Sequence, residues 1–302
     1  DIKSHDARRW QSNPHLRVSL QYLRQVFDYL DEMDIRMYRM ASGLAPYATH
    51  PDHPEFHDQV EECSGELAEL GATARRLGFR LSFHPSQYIV LNATDDDLAA
   101  RSAADVEVQA AILDAMRLDD EAVVMLHVGG VYGNREAALA RFARRYKQLS
   151  PAARRRLVLE NDDGRFGVRD VLRLHERIGT RVAFDVHHFH CYNPDGMTTA
   201  SAARACLETW ESWTARPKVH FSSPRTDWGF RYGSEEETHT PNWRAHAEFA
   251  DPFAFIEFYR PLADTAPDVM LETKAKDVAV AQLRRDLMRY APDVATVFNL
   301  AE

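Results

Sequence analysis

Short apolar runs alternate with longer amphipathic stretches along almost the whole chain. Apolar residues at three- and four-residue spacing predict eight helices, at 15–33, 56–78, 97–117, 135–148, 168–177, 199–213, 252–259 and 277–289. Runs rich in Val, Leu, Ile, Phe and Met predict seven strands between them, at 35–42, 79–84, 122–128, 156–161, 181–187, 218–222 and 268–273. Such alternation is typical of a parallel sheet covered by helices.

The order of these elements favours an α/β fold, a TIM-type (β/α)8 barrel whose first strand is missing from the chain as given. The first helix of such a barrel follows a strand, and residues 1–14 are too polar to be one. The 302 residues suffice for one barrel, so we expect a single domain over 1–302. Two smaller domains and an open doubly wound sheet are the alternatives.

Composition limits the classes of function. No apolar run approaches the roughly 20 residues of a membrane helix, so we expect no membrane partner. The three cysteines form no CxxC pair, which predicts free thiols and a cytoplasmic protein, associated with the nucleoid if prokaryotic. The net charge of −9 alone argues against nucleic acid, although bound divalent ions would make a site locally positive.

Potential metal ligands stand at the carboxyl ends of six successive predicted strands. They are His84, His127, Glu160, Asp185, His188, His220 and Glu272. Because the carboxyl ends of barrel strands surround one mouth, this pattern predicts a multinuclear metal site. Mixed imidazole and carboxylate ligation suits Zn, Mn or Fe, and clusters of two or three such ions typically catalyse phosphoester hydrolysis.

Two further features lie beside these ligands. Lys218 precedes His220 by two residues, so the period of a strand places both on one face. A lysine buried among metal ligands needs a modification or a partner such as a nearby carboxylate. Gln87 and Tyr88 closely follow His84, so we expect them at the rim of the mouth. The alternative is a loop tyrosine that packs on a neighbouring helix.

Two longer segments complete the pattern. The basic run at 143–156 lies between a helix and a strand, and we expect it to be solvated surface. The segment at 224–250 is long for a barrel loop and contains Trp, Arg and His, which is typical of a functional loop.

Seven motifs resemble those of the UV damage endonucleases, a family distantly related to the three-metal nuclease endonuclease IV. They are HPSQY (84–88), LHVGG (126–130), LEND (159–162), DVHH (185–188), KVHFSS (218–223), AHAEF (245–249) and LETKAK (271–276). The amino-acid sequence around the first helix and the first strand is also similar to that family, so the resemblance covers nearly the whole chain. One departure is the missing first strand, whose loop contacts DNA in that family.

The resemblance implies a role for each ligand. His84, His127 and Glu160 would hold one ion, and Glu160 would bridge to a second ion completed by Asp185, His220 and Glu272. His188 and His246 would hold a third ion, with His187 and His239 as competing candidates. The family usually takes manganese, so up to three Mn²⁺ ions are expected, with Zn²⁺ as the alternative.

The resemblance also implies catalytic and DNA-contacting residues. Lys218 matches a lysine that is carboxylated at its amine, and it joins Glu160 and Glu272 in the expected catalytic set. Gln87 and Tyr88 would probe the damaged duplex. Position at the rim, and not the resemblance, makes seven further residues candidates for DNA contact: Arg39, Tyr47, Tyr132, Asn134, Arg225, Arg231 and Lys274. A charged residue of this kind is more often simply on the surface, and for Lys274 the alternative is a side chain that faces Glu272 across the strand.

The implied function is DNA repair by excision. The chain would be a manganese-dependent endonuclease, a hydrolase that acts as a monomer on damaged double-stranded DNA. It would recognise cyclobutane dimers and 6-4 photoproducts and hydrolyse the phosphodiester immediately 5′ of the lesion. One alternative is a xylose-isomerase-like barrel sugar isomerase or epimerase, which would use one or two ions. Another is a damage-binding protein that has lost its chemistry.

Overall fold

The computed structural model describes residues 2–226 and 241–300. These residues contain seven strands: β1 (Met37–Met40), β2 (Arg80–Phe83), β3 (Val123–His127), β4 (Leu157–Glu160), β5 (Arg181–Asp185), β6 (Lys218–Phe221) and β7 (Asp268–Leu271). The helices from the amino terminus to β5 are α1 (Leu16–Glu32), α2 (Gln59–Glu62), α3 (Ser64–Arg76), α4 (Asp96–Ala115), α5 (Arg135–Tyr146), α6 (Pro151–Arg156) and α7 (Val168–Ile178). They are followed by α8 (Val186–Cys191), α9 (Thr199–Glu208), α10 (Pro252–Tyr259), α11 (Lys276–Tyr290) and α12 (Pro292–Val297). Short 3-10 helices lie at Trp10–Ser12, Pro54–Phe56 and Arg260–Leu262.

The chain divides into two compact units. The first consists of Asp1–Glu160, Arg173–Arg181 and Ser212–Ala215. The second consists of Asn161–Leu172, Val182–Glu211 and Arg216–Glu302.

The first unit contains β1 to β4 as a parallel sheet in chain order. The register pairs His127 with Glu160, so the carboxyl ends of β3 and β4 lie level. Strands β2 and β4 are buried along their full length, as expected for parallel strands covered on both faces. Helix α1 buries Leu20, Leu23 and Phe27, which recur at helical spacing along one face.

The second unit contains β5, β6 and β7, again parallel and in chain order. Its register pairs Asp185 with His220, so these two residues lie side by side at the ends of their strands. Aromatic side chains fill the adjacent core: Phe221 packs edge-on against Phe255 at 5.0 Å and stacks on Phe258 at 5.7 Å. This packing fixes β6 against α10.

Seven predicted strands are confirmed, but several boundaries were wrong. The strand predicted at 181–187 ends at Asp185, because the Asp185 side chain accepts the His188 N–H at 2.7 Å and so caps α8. The helix predicted at 56–78 is interrupted at Cys63, and the one predicted at 199–213 ends at Glu208. Helices α6, α8 and α12 were not predicted.

The basic run at 143–156 corrects a further expectation, because it is not simply solvated surface. Arg156 is fully buried and donates to the carbonyls of Leu118, Asp119 and Ala122 at 2.8–3.0 Å. Arg145 is also buried and donates to the carbonyls of the segment 91–93. Both guanidinium groups therefore tie loops to the sheet through backbone oxygens, which satisfies the donors without solvent.

Residues 2–14 contain no strand, as expected from their polarity, and only the 3-10 turn at Trp10–Ser12 is regular. Within the described ranges, none of the helices combines the length and apolar character that crossing a bilayer requires.

Candidate metal centre

Three predicted ligands of the first unit lie together at its strand ends. His84 directly follows β2, His127 ends β3, and Glu160 ends β4. One potential ligand atom from each lies within 4.8 Å of the others. A Glu160 carboxylate oxygen is 2.9 Å from His84 Nε2 and 3.9 Å from His127 Nε2, and its side chain is fully buried.

The remaining ring nitrogens of these two histidines point toward backbone oxygens. His84 Nδ1 lies 3.0 Å from the Pro85 carbonyl oxygen, and His127 Nδ1 lies 3.4 Å from that of Glu160. Since a carbonyl accepts a hydrogen bond, each Nδ1 carries the proton and each Nε2 keeps its lone pair. A backbone carbonyl in this position orients many metal-binding histidines.

A second group of three lies in the second unit. Asp185 ends β5, His220 lies in β6, and Glu272 directly follows β7. Their potential ligand atoms also lie within 4.8 Å of one another. The Glu272 N–H donates to the Phe221 carbonyl at 2.8 Å, which extends the pairing of β6 and β7 to this residue.

His220 uses the opposite ring nitrogen from His84 and His127. Its Nδ1 lies 3.2 Å from a Glu272 oxygen and 3.9 Å from Asp185 Oδ2. The ring is fully buried, and Nδ1 faces the two carboxylates. Nδ1 is therefore the nitrogen of His220 that an ion in this group would meet.

His188 and His246 lie beside the second group. His188 Nδ1 is 3.0 Å from the Asn161 carbonyl oxygen, and His246 Nδ1 is 2.6 Å from Ser222 Oγ. Both rings thus resemble His84 and His127, with Nδ1 engaged and Nε2 left for a ligand role. The two ring centroids are 6.2 Å apart, and His246 Nε2 lies 4.0 Å from Glu272.

The donor sets of both groups fit divalent transition-metal ions and zinc. Each group combines imidazole nitrogens with carboxylate oxygens, the mixture that suits Zn, Mn and Fe and that disfavours calcium. Carboxylates buried this deeply need a positive partner, and an ion would supply one. The residues present therefore fit a divalent metal in either group.

His187 lies next to His188 in sequence but plays a different part. Its ring is buried, and its Nε2 is 3.1 Å from the Arg244 carbonyl oxygen. Burial lowers the pKa of the His187 imidazole, so the ring is neutral at physiological pH. This contact anchors the segment that carries His246.

Lys218 lies at the start of β6 and is 1% exposed. The period of the strand places it on the same face as His220, two residues further on. Burial at this depth makes the charged form of the Lys218 amine costly.

The predicted DNA contacts of the first unit lie mostly on its surface. Gln87 is exposed, and Tyr88 is 74% exposed in the loop after β2. Tyr88 and the half-buried Tyr47 line one surface cavity of about 370 Å³, together with Arg101 and Asp105. Tyr47 adopts a left-handed backbone with φ of 58°, a conformation that is unusual for a residue with a side chain. Arg39 is exposed on β1.

Tyr132 and Asn134 lie in the loop between β3 and α5. Tyr132 is 45% exposed, has a φ of 52°, and places its ring 5.3 Å from the Arg141 guanidinium. Asn134 is exposed, and its side-chain oxygen accepts the Ala137 N–H at 3.0 Å as the cap of α5. Asn134 therefore caps α5, a structural role that the sequence analysis did not predict.

The predicted contacts of the second unit are less completely described. Arg225 and Lys274 are exposed, and their backbone N–H groups donate to Ala245 and Ala247. These bonds fix the segment 245–247, which includes His246. Arg231 and His239 lie outside the described residues.

Sequence reasoning missed two residues that hold ligands in place. Asn161 follows Glu160 in the LEND motif, and Ser222 lies in KVHFSS. Each is a small polar residue directly after an apolar strand that carries a predicted ligand, and this pattern is the sequence signal that could have identified them. The structure shows that both are buried. Their hydrogen-bond partners are distant in sequence and needed the structure.

Parallel strands that alternate with helices and carry polar side chains at their carboxyl ends define the class of α/β barrel whose functional site lies at the strand ends. The UV-endonuclease UvdE family model matches residues 10–301. The chain belongs to this family and is a DNA repair endonuclease of the UV-damage type. Two relatives named UV DNA damage endonuclease are 31% identical over 274 residues in Bacillus velezensis (strain DSM 23117 / BGSC 10A6 / LMG 26770 / FZB42) and 32% identical over 278 residues in Bacillus cereus (strain B4264). Each alignment covers 90% of this chain and 81% of the relative.

Solved structures agree on the fold. The crystal structure of SacUVDE superposes with a TM-score of 0.79 at 27% identity, over 95% of this chain and 94% of that one. The fold class is therefore the TIM-type (β/α) barrel, as predicted. A D-psicose 3-epimerase also superposes, with a TM-score of 0.53 at 13% identity over 90% of this chain and 93% of that chain, which shows a shared fold alone. The sugar isomerase alternative gains no support beyond that fold.

Proposed function

We propose that this endonuclease is metal-dependent and cuts duplex DNA immediately 5′ of a UV photoproduct. The observation that carries the proposal is the pair of ligand groups, His84–His127–Glu160 and Asp185–His220–Glu272, each closed to within 4.8 Å. Membership of the UV-endonuclease UvdE family supplies the substrate class.

The expected ions are divalent and up to three in number, with Mn²⁺ as the expected metal and Zn²⁺ as the alternative. Bound ions would supply the Lewis acid that stabilises negative charge on the phosphodiester. The family resemblance supports Glu160 as a bridging ligand and His188 with His246 as ligands of a third ion. Manganese suits these mixed nitrogen and oxygen donors, and because zinc binds such donors more tightly, the metal available to the protein decides which ion is bound.

Glu160, Glu272 and Lys218 form the proposed catalytic set. Glu160 and Glu272 fix the two groups through the contacts to His84 and His220. Carboxylation, in which the neutral Lys218 amine adds to carbon dioxide and loses a proton, would replace a buried ammonium with a carbamate anion that bound divalent ions would balance. The burial of Lys218 supports this modification.

The exposed rim residues are proposed to bind the damaged duplex. Gln87 and Tyr88 would enter the duplex and replace the extruded bases, since an exposed ring can stack on a base. Tyr47 and Tyr132 would provide further stacking surface, and Arg39, Asn134, Arg225, Arg231 and Lys274 would contact the backbone. Both cyclobutane dimers and 6-4 photoproducts are proposed substrates, bound by a monomer in the cytoplasm.

Mapping of the cut tests the proposal. A duplex with one cyclobutane dimer is labelled at either end of the damaged strand, incubated with enzyme and Mn²⁺, and resolved beside a sequence ladder. The proposal predicts one cut immediately 5′ of the dimer, leaving a 3′-hydroxyl and a 5′-phosphate, with the undamaged duplex intact. Cutting at another position, or equal cutting of the undamaged duplex, would contradict it.

A further inference from the structure

Two buried asparagines each form two side-chain hydrogen bonds to the backbone of one other residue. The Asn161 side-chain oxygen accepts the Asp185 N–H at 2.9 Å, and its amide nitrogen donates to the Asp185 carbonyl at 2.9 Å. Asn92 accepts the Gly130 N–H at 3.1 Å and donates to the Gly130 carbonyl at 2.8 Å. Both asparagines are fully buried.

The two pairs differ in what they hold. Asp185 belongs to the second group of candidate ligands, whereas Gly130 has no side chain and so offers no side-chain ligand atom. The Asn161 main chain also accepts from His188 Nδ1 at 3.0 Å, so one residue contacts two predicted ligands.

The orientation of the Asp185 carboxylate depends on its backbone. Asp185 Oδ1 accepts the His188 N–H at 2.7 Å, and Oδ2 lies 3.9 Å from His220 Nδ1. A shift of the Asp185 main chain would move both oxygens and the first turn of α8 together. The two Asn161 hydrogen bonds oppose that shift from both sides of the residue.

We propose that Asn161 is a positioning residue that sets the metal affinity of Asp185 and His188. This inference rests on the proposed metal-dependent function. Residues that orient metal ligands typically change metal affinity or activity about 10- to 100-fold when they are substituted. Asn161 acts through the ligands and is not itself a ligand in this proposal.

Asn161→Ala and Asn92→Ala form a matched pair for the test. Each removes one buried amide with two backbone hydrogen bonds, and Asn161→Ala leaves the main-chain carbonyl that His188 contacts. Mn²⁺ binding to each purified full chain is measured by titration with EPR detection of the free ion, beside thermal unfolding. Should Asn161→Ala not fold, Asn161→Ser takes its place, because its hydroxyl can keep one bond to the Asp185 backbone.

The two variants distinguish an effect on the position of the ligands from a general loss of stability. Asn161→Ala should raise the dissociation constant of the weakest Mn²⁺ site of the protein about 10- to 100-fold. A higher Mn²⁺ concentration should then restore incision by this variant. Asn92→Ala should lower the unfolding temperature to a similar degree and keep the wild-type Mn²⁺ affinity. Wild-type Mn²⁺ affinity in Asn161→Ala, or equal weakening in both variants, would overturn the inference.

The affinity measurement also distinguishes this inference from the proposed function. If the wild-type chain binds Mn²⁺ but does not cut damaged DNA, the proposed function fails while the comparison of the two variants still decides the role of Asn161. If the wild-type chain binds no Mn²⁺, the inference fails with the proposed metal site.

Discussion

His84 Nε2 lies 2.9 Å from a carboxylate oxygen of Glu160, although the two residues are 76 positions apart in the chain. The carboxylate is fully buried, and the imidazole is 15% exposed at the side chain. Parallel strand ends bring such distant residues together, and the Nδ1 contact of His84 turns Nε2 toward the carboxylate. This pair is the core of the first ligand group.

Glu160→Gln should abolish most incision without unfolding the protein. The amide keeps the volume of the side chain but removes the negative charge that attracts an ion, so we expect at least about a 100-fold loss of rate and weaker Mn²⁺ binding. Incision rate, bound Mn²⁺ and unfolding temperature are measured together. Asp170→Asn is the matched control, since Asp170 is a buried carboxylate that accepts the Gly167 N–H at 3.1 Å. Near-normal cutting by Glu160→Gln would refute its role.

The double substitution Gln87→Ala and Tyr88→Ala should weaken binding to damaged duplex while bound Mn²⁺ stays unchanged. Loss of one stacked ring costs about 1–3 kcal/mol, or roughly 5- to 150-fold in affinity. Fluorescence anisotropy with a dimer-containing duplex measures the change. Phe253→Ala is the control, because Phe253 is 62% exposed and lies on α10. Loss of Mn²⁺ from the double variant would show that the pair is structural instead.

Asp105→Asn should raise the unfolding temperature at pH 7. Burial raises the pKa of the Asp105 carboxyl, against the opposing hydrogen bond from Thr49 at 2.6 Å. The folded state therefore holds its proton to a higher pH than the unfolded state, and stability falls as the pH rises through that window. An amide has no charge to bury and can accept the same hydrogen bond. Unfolding curves should show the gap between variant and wild type closing toward pH 3, and a gap that persists there would count against this explanation.

Arg156→Met should destabilise the protein by about 3–5 kcal/mol, the usual cost of breaking a buried charged network. Arg156 is fully buried and donates to three backbone carbonyls and to Asp114, and the substitution leaves those acceptors unsatisfied. Arg155→Met is the neighbouring control, because Arg155 is half exposed and exposed ion pairs contribute at most about 1 kcal/mol. Equal unfolding free energies for the two variants in urea would contradict the prediction.

The positions of polar residues at strand ends predicted the candidate ligands, but not the residues that orient them. His84, His127 and Glu160 each follow or end an apolar run, so their convergence could be anticipated from strand direction alone. The sequence could not predict which ring nitrogen of each histidine faces the site, because that depends on partners such as Pro85 for His84 and Glu272 for His220.

The burial of Arg156 was unpredictable for a related reason. Its acceptors are backbone carbonyls at 118–122, and carbonyls are the same in every sequence. A run of arginines therefore reads as solvated surface until the fold shows which of them meets a loop. The start of α8 was not predicted from the sequence, because Asp185, which was assigned as a metal ligand, also serves as the cap of this helix.

The most direct test of the metal-dependent account is incision of a dimer-containing duplex after removal and return of Mn²⁺. The chain is stripped with a chelator, its residual metal is measured by elemental analysis, and Mn²⁺ is added back in steps. The account predicts no cutting by the stripped chain and recovery in proportion to the Mn²⁺ bound, with a rate at least about 100-fold lower in Glu160→Gln. Undiminished cutting by the metal-free chain would contradict it.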